Sequence, residues 1–299
     1  MSRSPMVVKF YHPGSEWTPV RDPQSPSMWT PLSREHTRKY FHTQGRAISS
    51  VRNPVVHDGP IGFWGEWEAE TEFWMSKNTK PIAQRSRNQL PSRVHVPIRP
   101  CMPPTGELQN TDPCVFGNEF IYSLCKQRRK NGSETYLSRL IPGDVVLFGS
   151  YFKDESRHGR FMLDTVFVVG GKIPYRRDHS HQDKGVVERV PDWYFPLTID
   201  RILDEDLEFT LYTGATYENP VNGMFSFFPC LTEGSRAKYH GFRRPSFLSP
   251  SLSSLFDSSQ NQGSKGYYNS VSPYKVWTEI TADLTERSEP LSLGINAFV

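Results

Sequence analysis

The sequence predicts an α+β protein dominated by strands, on three observations. Residues 145–148 and 161–169 are short apolar runs rich in β-branched and aromatic residues, each bounded by glycine, as buried strands are. Residues 61–75 alternate with a period of two, the signature of a strand with two unlike faces. Proline at 25 and glycine at 21 of 299 residues break up long helices, so short elements joined by loops are expected. Aromatic residues make up 13% of the chain and all hydrophobic residues 36%, so bulky rings must supply much of the core.

Taken in order, Val7, Val8, Lys9, Phe10 and Tyr11 form a first strand, ended by His12, Pro13 and Gly14. A proline- and serine-rich loop with Trp17 and Trp29 follows. Ser33 stands as an N-cap and predicts one or two helical turns up to Phe41. Within 61–75, Trp64, Glu66, Glu68, Glu70, Glu72 and Trp74 share one face. Phe63, Gly65, Trp67, Ala69, Thr71, Phe73 and Met75 share the other, which is core. Four glutamates on one face repel unless solvated or paired, so that face is either a charged outer surface or a pocket wall beside Trp64. Six prolines between Pro81 and Pro104 forbid a long helix over 77–113, which is expected to wrap the surface as extended chain. Residues 120–125 read as a strand and lead into Lys126, Arg128, Arg129 and Lys130.

The centre of the chain is a hairpin. Pro142, Gly143 and Asp144 make a turn before the 145–148 strand, and a charged connection over 153–159 leads to the 161–169 strand. Both faces of each strand are apolar, which places the hairpin mid-sheet with material packed on both sides. In the second strand Phe161, Leu163, Thr165, Phe167 and Val169 share a face, and Met162, Asp164, Val166 and Val168 the other. Asp164 is the exception among apolar neighbours, and a buried carboxylate demands hydrogen bonds or a cationic partner. It is either a structural acceptor or a ligand-facing group.

Strands are expected at 207–213 and 224–230, in a stretch dense with Tyr212, Tyr217, Phe225, Phe227 and Phe228. Residues 246–272 are serine-rich and read as a linker or loop. Ser272 and Pro273 then open a helix with Val276, Trp277, Ile280 and Leu284 on one face. The expected organisation is one α+β domain over 1–245, the 246–272 linker, and a helix and tail over 273–299 docked on the domain.

Cys125, Lys126 and Gln127, a basic connection, the Pro142-Gly143-Asp144 turn with its apolar strand, and a second strand entering Phe167, Val168 and Val169 resemble the core of PUA-like domains. The likeness is greatest to the nucleotide-modification-associated and EVE-type branch and covers about residues 114–175. It implies a small β-barrel, here with its core over about 114–245, an N-terminal elaboration and a C-terminal helix. It also implies binding of a nucleotide or modified nucleobase, in a setting of DNA modification or defence, and no catalytic residues.

Net charge of +3, from 35 basic and 32 acidic residues, is by itself too small to argue for a polyanion partner. Basic residues nonetheless recur among aromatics: Arg85, Arg87, Arg93, Lys126, Arg128, Arg129, Arg243 and Arg244 are the expected nucleic-acid contacts if they converge on one face. Trp64, Asp164, Tyr212 and Tyr217 are the expected ligand-binding residues. The alternative is a nucleic-acid-directed enzyme of base-glycosidase or ADP-ribosyl-transferase type, with Glu66 and Glu68 as its catalytic carboxylates beside Trp64. The residues do not decide between the two. A scaffold protein with neither pocket nor basic rim is the third class.

No phosphate-binding glycine loop, nucleophile elbow or zinc-peptidase motif is present, so no cofactor is expected. Cys114 and Cys230 each sit beside a proline and are candidate nucleophiles only if a histidine lies near. His179 and His181, flanked by Asp178 and Asp183, lack a distant partner, and no metal site is expected. Four unpatterned cysteines and no apolar stretch near 18 residues predict a reduced, cytoplasmic protein without a membrane segment.

Overall fold

The computed structural model describes residues 3–11, 15–16, 37–65, 71–78, 90–97, 111–153, 159–201, 206–257, 267–268 and 271–296. Among these, the strands in chain order are β1 (Val7–Tyr11), β2 (Ser15–Glu16), β3 (Thr37–Ile48), β4 (Val56–Gly65), β5 (Thr71–Met75), β6 (Arg93–Pro97) and β7 (Cys114–Phe116). They continue with β8 (Glu119–Tyr122), β9 (Val145–Lys153), β10 (Gly159–Arg176), β11 (Glu208–Gly214), β12 (Phe228–Leu231), β13 (Tyr267–Tyr268) and β14 (Leu291–Ile295). The helices are α1 (Lys184–Val187), α2 (Tyr194–Leu197), α3 (Gly234–Tyr239), α4 (Pro250–Phe256) and α5 (Pro273–Glu286).

The strands form two mixed sheets. The first runs β13-β1-β9-β10-β11-β8-β7, so the β9–β10 hairpin lies mid-sheet as its two apolar faces require. Only β1 and β9 are parallel within it. That pairing is held by the turn before β9. Gly143 takes φ +90°, a backbone that favours glycine, and the Asp144 carboxylate accepts from Met6 N at 2.7 Å and Ile141 N at 2.8 Å while pairing with Arg3.

The second sheet runs β14-β12-β4-β3-β6-β5. β14 pairs with β12 and also with β3, so β3, β4, β12 and β14 close on themselves. The strands of residues 114–245 are therefore divided: β7–β11 belong to the first sheet and β12 to this ring. The C-terminal tail completes the ring as a strand.

Side-chain alternation sorts the core into layers. Val8, Phe10, Val146, Phe148, Phe167 and Val169 from the first sheet meet Phe41, Phe63, Phe228 and Ile295 from the second. The outer face of the first sheet, including Val145, Leu147, Val166 and Val168, carries α5 through Val276, Trp277, Ile280 and Leu284, and α4 through Leu252 and Phe256. The outer face of the second sheet packs Tyr40 and Trp64 against Ala237 of α3 and Phe242.

Four expectations are corrected. Residues 37–41 are strand, not helix: Thr37, Tyr40 and Phe41 are strand formers, and β3 pairs with β4 along its length. The 61–75 alternation belongs to two strands, β4 and β5, and β5 pairs with β6 rather than extending β4. Part of 77–113 is also strand, as β6. The serine-rich 246–272 stretch contains α4, opened by Ser249 and Pro250 with the same signal as α5 and docked through buried Leu252 and Phe256.

The faces expected for 161–169 also change. The β9–β10 register shifts between Leu163 and Thr165, leaving Asp164 as the extra residue of a bulge. Phe161 and Leu163 consequently face the same layer as Val166 and Val168, while Phe167 and Val169 turn to the inter-sheet layer.

Candidate functional site

The bulge aims Asp164 at a buried ionic cluster between the sheets. Arg244 grips the carboxylate with Nε at 2.8 Å and Nη2 at 2.7 Å, and Arg38 adds Nε to Oδ2 at 2.7 Å. The side chains are 5% exposed for Asp164 and 2% for each arginine. Three strand-and-loop segments meet here. β3 supplies Arg38, β10 supplies Asp164, and the segment after α3 that supplies Arg244 runs beside β10, with Leu163 N donating to Pro245 O at 2.8 Å. Charges this deep are tolerated only when paired and hydrogen-bonded, and this arrangement meets that condition at the carboxylate.

Beside the cluster lies a cavity of about 40 Å³. Its polar lining residues are Arg38, Asp164 and Thr165, and its rings are Phe41, Phe63, Trp64, Phe148 and Phe228. The Trp64 indole is oriented by its Nε1–H, which donates to Phe242 O at 2.7 Å, so the ring offers the cavity only π-face and edge. Gly65 lies at the rim, where an added Cβ would press on Phe63 and Phe41. The volume accommodates up to about three waters but no aromatic ring, so a larger guest must displace part of the wall.

Of the residues expected to bind ligand, Trp64 and Asp164 meet at this cavity. Tyr212 and Tyr217 do not line it. Tyr212 is fully buried, stacks on Tyr122 at 5.6 Å and accepts from Leu140 N at 3.1 Å, and burial raises its hydroxyl to about 12. Tyr217 packs edge-on against Phe225 at 5.2 Å on the α5 side of the first sheet. Glu66, Glu68, Glu70, Arg85 and Arg87 lie outside the described residues.

The expected basic contacts separate. Arg244 is a core residue bound to Asp164, not a phosphate contact. Arg128 is held at the β11 side of the first sheet, donating from Nε to Glu208 O at 2.9 Å. Lys126 donates to Tyr11 O, with its ammonium 4.8 Å from the Phe10 ring centroid. Arg93 belongs to β6 in the other sheet, over Phe73. Arg129, Lys130 and Arg243 are exposed.

Other candidates fall away. Burial pushes the thiols of Cys114 and Cys230 upward and keeps them protonated, the wrong state for a nucleophile. His181 pairs with Asp200 at 2.8 Å and stacks on Phe195. Among the described residues no group of three or more His, Cys, Asp or Glu gathers to hold a metal, and no helix is long and apolar enough to cross a membrane.

Sequence reading missed Arg38 as Asp164's partner, because 126 residues separate them and no local signal couples them. Phe41, Phe148 and Phe228 carried only the signal of core residues. Comparison with protein-family models, curated proteins and solved structures finds no match to this chain.

Proposed function

We propose that the protein is a binding module for a nucleotide or modified nucleobase presented within nucleic acid, held in the cavity between the sheets. The observation that carries this reading is five aromatic side chains gathered around one buried arginine–carboxylate cluster. Rings supply stacking surface, worth about 1–3 kcal/mol per base, and the cluster supplies a fixed polar wall. Exposed Arg129, Lys130 and Arg243 are available to phosphates. The PUA-like resemblance of residues 114–175 leads to the same ligand class, in a setting of DNA modification or defence.

The test is binding of short single- and double-stranded oligonucleotides across a salt series, for the native chain and for Val115→Phe. Val115 lines the cavity and is half-buried, so phenylalanine there fills the space without removing an ionic partner. The expected result is salt-dependent binding that Val115→Phe weakens at every salt concentration. Absent binding at low salt, or binding that Val115→Phe leaves unchanged, contradicts the reading.

A further inference from the structure

We infer that the cavity selects rings whose edge presents adjacent hydrogen-bond acceptors, guanine and its O6- and N7-retaining derivatives, over rings presenting an amino group. The inference rests on the base-binding reading above and narrows its ligand. Three polar side chains line the cavity: Arg38, Asp164 and Thr165. A guanidinium has five N–H donors and no acceptor, so whatever Arg38 meets in the cavity it meets as a donor. Asp164 is the only side chain there whose charge favours an amino donor, and its carboxylate already accepts three guanidinium bonds at 2.7–2.8 Å. Those bonds lower its appetite for a further donor and hold Arg38 in place.

Among the rings, Trp64 has the one polar hydrogen, and that is given to Phe242 O. Thr165 can donate or accept and does not reverse the balance. The wall therefore offers donors in excess. Guanine matches it with O6 and N7 side by side on one edge, the pairing that arginine forms most often with a base. Adenine puts an amino group where O6 would be and meets the guanidinium donor to donor.

The experiment is calorimetric titration of the full chain with free nucleosides, which removes phosphate attraction from the comparison. Guanosine and inosine both keep O6 and N7 and are expected to bind within about threefold of each other. Adenosine, which loses O6, and 7-deazaguanosine, which loses N7, are expected to bind at least about tenfold more weakly. Arg38→Lys is expected to level the series while leaving a melting transition. If that variant fails to fold, the native-chain series still decides.

Equal binding of guanosine and adenosine, both competed by a base-containing oligonucleotide, overturns the selectivity and leaves the base pocket standing. Binding of no nucleoside by a folded chain, with oligonucleotide binding unchanged in Val115→Phe, overturns both.

Discussion

Asp164 shows how one residue joins fold to site. Its bulge reverses the strand faces, and its carboxylate is the one anion between Arg38 and Arg244. Removing a single partner from such a cluster leaves buried charge uncompensated, so Asp164→Ala is expected to cost about 3–5 kcal/mol in denaturant unfolding. A cost under about 1 kcal/mol would show the arginines reach water in the folded chain. Tyr40 makes the opposite case. Its hydroxyl is buried against Gly62 with no hydrogen-bond partner, and burial raises it far above the usual tyrosine range. Tyr40→Phe should therefore be neutral or stabilising by up to about 1 kcal/mol, checked by thermal melting.

Glu289 adds a pH dependence at the same scale. Burial raises its carboxyl from 4.5 to about 7, with Arg287 opposing, Asp283 reinforcing and Arg236 opposing again. Between those values the folded chain holds a proton that the unfolded chain has released. Stability should fall as pH rises from about 4.5 to 7, by up to about 3 kcal/mol, and Glu289→Gln should flatten that limb of the stability profile. An unchanged profile in the variant would assign the slope to other groups.

At the scale of elements, α5 is the main cover of the first sheet's outer face. Trp277 donates from Nε1 to Phe225 O at 2.9 Å and packs on the Phe225 and Phe227 rings. Trp277→Ala is expected to lower stability by about 3–5 kcal/mol with a large drop in melting temperature. A loss near zero would mean the sheet face is covered by other means. This helix was legible in advance because its spacing and its Ser272-Pro273 cap are local. The β9–β10 hairpin was legible for the same reason, from glycine-bounded apolar runs.

Where long-range pairing decides, local pattern misled. The alternation over 61–75 is real, but residues 71–75 pair with β6 and not in line with β4. Ser33 offers a cap, yet β3 gains more from pairing with β4 over ten residue pairs than a short helix gains in water. The Asp164 bulge breaks a period-two pattern without any glycine to mark it. Half of the ligand set, Trp64 and Asp164, was readable as oddities in apolar strands. Arg38 and the inward turn of Arg244 were not, because both depend on how distant segments meet.

The whole molecule is two sheets face to face, helices α4 and α5 outside one and α3 outside the other, with the aromatic cavity between. That architecture puts the proposed ligand site in the inter-sheet layer, and it keeps Arg93 and Arg128 on different sheets. Phosphate contacts made by Arg129, Lys130 and Arg243 should then add to affinity without reading the base. Alanine at any one of them is expected to lower the salt slope by about one unit for every sequence tested.

The claim that the base sits between the sheets is tested most directly by ultraviolet crosslinking of a random-sequence oligonucleotide to the native chain, with crosslinked residues located by mass spectrometry. The account predicts crosslinks at Trp64, Phe63 or Phe148, lost in Val115→Phe. Crosslinks confined to the exposed basic segments, in a chain that binds the oligonucleotide, would contradict it.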